Sequence, residues 1–150
     1  MKIYLAGPFF NDKERKVIER VRDYLRNQGH EVIVPMELVI PGGTNLPNYV
    51  WADRVFEADV KEITACNLVV AVYHGHYSDS GTAWEIGYAY GIGTPVVLVH
   101  TNKKNVASIM LASSCMINVS LEDLEKLDLG HIMLSLRTRR GVNSFMVEQK

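Results

Sequence analysis

The run Leu68-Val-Val-Ala-Val-Tyr73 is apolar, rich in valine and unbroken by any charge. A strand of that kind is covered on both faces, which points to the interior of a parallel sheet rather than to a half-solvated antiparallel one. Similar short runs occupy Lys2 to Ala6, Glu31 to Pro35 and Pro95 to Val99, and a weaker one lies near Met116 to Val119. Between them the apolar residues change to helical spacing. Residues Asp12 to Gln28 carry Val17, Ile18, Val21, Tyr24 and Leu25 on one face, with Gly29 as the stop. Further helices are expected over Tyr49 to Thr64, Gly81 to Ile92, Ala107 to Ala112 and Leu121 to Leu127. Strands alternating with helices predict a doubly wound α/β domain, five parallel strands joined by right-handed crossovers with helices on both faces.

All 150 residues fit one such domain, with the polar stretch from about Thr138 to Lys150 expected as a loose tail or a subunit contact. A formal net charge of -1 offers no footprint for DNA, RNA or an anionic membrane. No apolar run approaches the roughly 20 residues of a membrane span. The opening apolar run is stopped by Pro8 before it reaches signal-peptide length. Cys66 and Cys115 lie far apart with no zinc spacing and are expected as free buried thiols in a cytoplasmic chain.

In a parallel sheet of this kind ligands bind beyond the carboxyl ends of the strands, where the strand order reverses. Three segments therefore claim attention: Gly7 to Asn11, the long Gly- and Pro-bearing loop around Pro35 to Asn48, and His74 to Glu85. Glu85 is the single charge in the window from Gly81 to Pro95. On a helix apolar almost all round it either emerges into solvent or sits in the crevice with partners. Asp79, six residues earlier, is placed to share that crevice or to cap the helix. Asp53 and Asp59 lie among apolar neighbours on the preceding helix, and Asp59 either faces the crevice or is solvated. Paired carboxylates suit glycosidic chemistry, one attacking the anomeric carbon while the other moves protons or grips hydroxyls.

Three blocks together are more specific than any one of these residues: Ile3-Tyr-Leu-Ala-Gly-Pro-Phe-Phe10, Trp51-Ala-Asp-Arg-Val-Phe-Glu-Ala-Asp59 and Asp79-Ser-Gly-Thr-Ala-Trp-Glu-Ile-Gly87. In order and spacing they resemble the signature blocks of the nucleoside 2-deoxyribosyltransferases, over about residues 2 to 112. The resemblance implies a flavodoxin- or Rossmann-like domain. It also implies a retaining two-step transfer that needs no metal or other cofactor, between a deoxynucleoside and a free nucleobase. Glu85 would be the nucleophile, Tyr4 its orienting neighbour and Asp59 the manager of base protonation. Asp79 would bind the sugar hydroxyls, with Gly7, Gly81 and Trp51 of the same blocks around the substrate. Phe9 and Phe10 are either an apolar wall for the base or core. The resemblance further implies a homo-oligomer, dimer to hexamer, in which Ala107-Ser-Ile-Met110 enters a neighbour's pocket through Ser108 and Met110.

The chain also departs from the family pattern. Ser108 replaces the amide usual in the transferases and is similar to the serine with which related deoxynucleoside 5′-monophosphate N-hydrolases hold phosphate. Where an amide side chain often meets the base, the chain has Glu37 and Val39, and it ends in Gln149-Lys150 rather than in a tyrosine carboxylate. Against the hydrolase reading, Gly7 to Asp12 lacks a serine and an arginine for phosphate, and Asp12 would repel one. A third possibility is a non-catalytic nucleotide-binding module on the same fold. Other signals are weaker. Pro41-Gly-Gly-Thr44 has no following lysine, His74 and His76 are two metal donors without a third, no GxGxxG follows the first strand, and Arg137, Arg139 and Arg140 form a small basic cluster.

Overall fold

The computed structural model describes residues 1–75, 80–102 and 107–138. Five strands, β1 (Lys2–Ala6), β2 (Glu31–Ile33), β3 (Leu68–Tyr73), β4 (Val96–His100) and β5 (Ile117–Ser120), form one sheet in the order β2-β1-β3-β4-β5. Every pairing is parallel, with Ile3 opposite Val32, Tyr4 opposite Val69, Val70 opposite Val97 and Val99 opposite Val119. Six helices connect or follow them: α1 (Asp12–Asn27), α2 (Asn48–Ala65), α3 (Ser80–Gly91), α4 (Ile109–Ser114), α5 (Leu121–Leu124) and α6 (Leu129–Thr138). The expected doubly wound α/β sheet, with helices on both faces, is what the chain forms.

Side-chain alternation along the strands divides the core into two layers. Ile3, Leu5, Val70, Val72, Val97 and Val99 face α1, whose Ile18, Val21 and Leu25 are buried, together with Leu124 of α5 and Leu129 of α6. Tyr4, Ala6, Val69, Ala71, Tyr73 and Leu98 face the other way, onto Ile63 of α2 and Ile86 and Ala89 of α3. The chain moves outward from β1 to β2 and then returns past β1 to β3. A right-handed crossover on each leg sends α1 and α2 to opposite faces. β1 and β3 stay paired as far as Ala6 opposite Ala71, and the loops that leave their carboxyl ends turn to α1 and α3 on opposite faces, with a crevice between them.

Several boundaries differ from the sequence expectation. β2 ends at Ile33, because Pro35 brings no N–H for a ladder and instead opens a 3-10 turn, Pro35–Glu37. The long loop is not featureless: a second 3-10 turn, Gly43–Asn45, follows Gly42, whose φ of 89° is left-handed. α4 starts at Ile109 rather than Ala107, since Ser108 serves as its N-cap. α5 stops at Leu124, short of Leu127, and α6 was not anticipated. Cys66 and Cys115 are free and buried, and burial pushes the Cys115 thiol up to about 12. No helix among the described residues is long and apolar enough to cross a membrane.

Candidate active site

Gly7 closes β1 at the point of divergence. A Cβ built on it would lie 2.7 Å from Ile18 Cδ1 and 3.0 Å from Val72 Cβ, and its φ of +153° is one that side chains rarely adopt. The strand end therefore reaches the crevice only as glycine. The chain then turns through Phe9 and Phe10, whose rings stack at 5.7 Å, and enters α1 at Asn11. That entry is fixed reciprocally: Asn11 Oδ1 accepts from the N–H groups of Lys13 and Glu14, while Glu14 Oε2 accepts from Phe10 N–H.

Two residues upstream of the last β1 position, Tyr4 projects into the layer between sheet and helices and is fully buried. Its hydroxyl donates to Glu85 Oε1 at 2.6 Å, across 81 residues of sequence. Glu85 lies in the second turn of α3, flanked by the buried Thr82, Ile86 and Ala89, so its side chain emerges at the edge of the core rather than in open solvent. Burial above all, and then the charges of Glu85 and Asp59, push the Tyr4 phenol far above its ordinary range, so it remains a neutral donor. On α2, Trp51, Val55 and Asp59 recur every four residues and form one stripe facing the same space. Asp59 is half-buried, and its Oδ1 makes no hydrogen bond among the described residues. Burial raises its carboxyl above the usual range, with the Tyr4 hydroxyl opposing in part.

These elements enclose a cavity of about 500 Å³, within the size range of small-molecule sites. Asp59, Glu85, Gly7 and Gly81 occupy one end; Phe9, Phe10, Trp51 and Val55 form a wall; and Pro35, Met36, Leu38, Ile40 and Gly43 of the long loop complete it. Of the residues expected at a site, the fold brings together Tyr4, Gly7, Phe9, Phe10, Trp51, Asp59, Gly81 and Glu85. It does not bring Glu37 there. Glu37 turns outward at the end of its 3-10 turn, where Arg22 Nη1 donates to Oε1 at 2.7 Å and Arg26 Nη2 to Oε2 at 2.6 Å. Ser108 and Met110 lie outside the cavity: the Ser108 hydroxyl accepts from Leu111 N–H at 3.3 Å, and Met110 is 78% exposed. Asp79 and His76, like Arg139, Arg140 and the tail beyond Thr138, fall outside the described residues.

Sequence reasoning missed the loop wall. Met36, Leu38 and Ile40 alternate in the sequence and could have been read as a lining strip, and the four-residue spacing to Trp51 and Asp59 singles out Val55. His74 Nδ1 pairs with the Thr101 hydroxyl at 3.1 Å, and no cluster of three metal-binding side chains occurs among the described residues.

A buried tyrosine holds a carboxylate at the mouth of a parallel sheet, with a second carboxyl beside it. The family model for nucleoside 2-deoxyribosyltransferase matches residues 3–143. The chain belongs to that family. A 2-deoxyribosyltransferase from the psychrotolerant bacterium Bacillus psychrosaccharolyticus is 31% identical, superimposes with a TM-score of 0.80, and is matched over 88% of this chain and 96% of its own. The CMP N-glycosidase BcmB of Clostridium botulinum shares the fold at 23% identity and a TM-score of 0.60, over 83% of this chain and 99% of its own. No curated protein sequence matches the chain. Membership in this family assigns it to the enzymes of glycosyl transfer and N-glycoside cleavage.

Proposed function

We propose that the chain transfers the 2-deoxyribosyl group of a deoxynucleoside from one nucleobase to another through an ester on Glu85. The observation that carries this reading is the 2.6 Å hydrogen bond from Tyr4 to Glu85 Oε1 at the edge of the cavity. It holds the carboxylate at the edge of the cavity, oriented for attack on C1′. In the first step the Glu85 oxygen bonds to C1′, the C1′–N bond breaks, and its electron pair goes to the base nitrogen. Asp59, whose half-buried carboxyl faces the cavity and is held above its ordinary range by burial, supplies the proton that lets the base depart neutral. The nitrogen of an incoming base then attacks C1′ from the face the first base left. The ester opens, Glu85 recovers its carboxylate, and the proton of the incoming base returns to Asp59. The 2-deoxy sugar, lacking an electron-withdrawing 2′-hydroxyl, reaches its oxocarbenium-like state readily, so this pair of carboxyl groups suffices.

The cavity's charge supports a nucleoside over its 5′-monophosphate. Among the described lining residues the ionisable side chains are Asp59 and Glu85, both acidic, and no lysine or arginine accompanies them. A phosphate placed there would be repelled. The Ser108 hydroxyl, which would hold a phosphate in the hydrolase reading, lies outside this cavity, where its oxygen accepts from Leu111 N–H. Asp79 is assigned to the sugar hydroxyls. Ile109 and Met110, 70% and 78% exposed on α4, are assigned to the pocket of a neighbouring subunit, which makes the working enzyme a homo-oligomer.

The test is to incubate a deoxynucleoside, and separately its 5′-monophosphate, with a different free base. The new deoxynucleoside is expected from the first incubation, and none is expected from Glu85→Ala, which should stay folded. Release of base from the monophosphate alone, with water as acceptor, would establish the hydrolase instead. Full exchange by Glu85→Ala would end the mechanism.

A further inference from the structure

The cavity is chemically divided. Its acidic end, Asp59 and Glu85, suits the sugar and the glycosidic nitrogen, and the remaining described lining side chains are aliphatic or aromatic, Phe9, Trp51, Met36, Leu38 and Ile40 among them. A nucleobase bonded to a C1′ held at Glu85 extends toward that carbon wall, and its far edge carries the exocyclic amino or carbonyl groups that distinguish one base from another. The one acidic side chain of the wall-forming turn, Glu37, points the opposite way, with each oxygen occupied by an arginine of α1. Arg26 also donates to Val32 O at 3.0 Å, which ties the end of β2 and the turn to the same helix. The ion pairs hold the turn so that Met36 and Leu38 face the cavity and the carboxylate does not.

We infer that this site reads the far edge of the base by apolar contact and not by hydrogen bonds, so that it prefers bases carrying an alkyl group there to bases carrying an amino group. The inference rests on the transfer reading above and names the class of base within it. An amino group pressed against Met36, Leu38 and Ile40 loses its water and gains no side-chain acceptor among the described residues, an unfavourable exchange. A methyl group in the same place adds buried apolar surface, which favours binding by about fourfold. A site that hydrogen-bonded the amino group would behave oppositely and reject the methyl analogue by orders of magnitude.

The test uses the unmodified enzyme, thymidine and deoxyinosine as donors, and two matched pairs of acceptor bases: adenine with 6-methylpurine, and cytosine with 4-methylpyrimidin-2-one. The readout is kcat/KM for each acceptor. In whichever pair is exchanged, the methyl base is expected to exceed its amino partner by about fourfold. A methyl base that only equals its amino partner, or is poorer, overturns the inference while leaving base exchange established. Failure of all four acceptors with both donors would instead overturn the transfer reading on which the inference stands.

Discussion

Replacing Tyr4 by phenylalanine removes one oxygen and nothing else from the core. The ring is fully buried between the sheet and its helices, and phenylalanine fills the same volume in the same rotamer. What disappears is the 2.6 Å O–H···O contact to Glu85, short enough to be a charge-assisted hydrogen bond. Bonds of that type contribute about 1.5–3 kcal/mol. If that energy serves to hold Glu85 in line with C1′, the loss appears in kcat as a fall of about 10- to 150-fold. KM for the donor should change little, because the hydroxyl faces the carboxylate and the cavity walls are untouched. Initial rates of base exchange at saturating donor, followed by chromatography of the product nucleoside, give both parameters. A thermal melt within a few degrees of the unmodified protein would show that the fold survives. A Tyr4→Phe enzyme whose kcat lies within twofold of the original would refute the claim that this hydrogen bond positions the nucleophile.

Two other perturbations bear on the same machinery. Asp59→Asn should lower kcat by about 10²- to 10⁴-fold, the usual range for a general acid, and an unchanged kcat would remove Asp59 from the chemistry. The folded-state pKa of Asp59 is raised, so burial costs stability above that pKa and nothing below the unfolded value. Melts of Asp59→Asn should therefore show a gain at neutral pH that shrinks as pH falls toward the ordinary carboxylate range, and a gain that grows on acidification would contradict the assignment. Gly7→Ala forces a Cβ to within 2.7 Å of Ile18 at a φ of +153°, and should destabilise the protein by about 2–5 kcal/mol. Denaturant unfolding checks this, and a loss below 1 kcal/mol would mean that the backbone there relaxes freely.

Most of the fold was legible because the strands are short apolar runs, β3 and β4 nearly all valine, and because α1 carries one buried stripe of Ile18, Val21 and Leu25. Such segments have a single stable arrangement, a covered parallel sheet. The boundaries that slipped are governed by local chemistry that periodicity does not register. Pro35 ends β2 through a missing N–H, and Ser108 begins α4 as a cap. α6 escaped notice because Leu129 is its one fully buried side chain among those described and Gly130 interrupts its pattern. At the site, Tyr4, Asp59 and Glu85 were identifiable before any coordinates, as three residues from separate blocks that the strand reversal brings together. Glu37 was not. In a three-residue 3-10 turn neither helical nor strand spacing tells which way a side chain points, and two arginines a few turns along α1 decide it. The apolar strip of Met36, Leu38 and Ile40 was equally hidden, since a loop has no face until a helix is set against it.

The decisive measurement is mass spectrometry of the enzyme quenched in acid after mixing with a deoxynucleoside and no second base. The protein should gain the mass of one 2-deoxyribosyl group, and digestion should place it on the peptide containing Glu85. Rapid turnover with an unmodified protein, or with the sugar attached to a different side chain, would contradict the account.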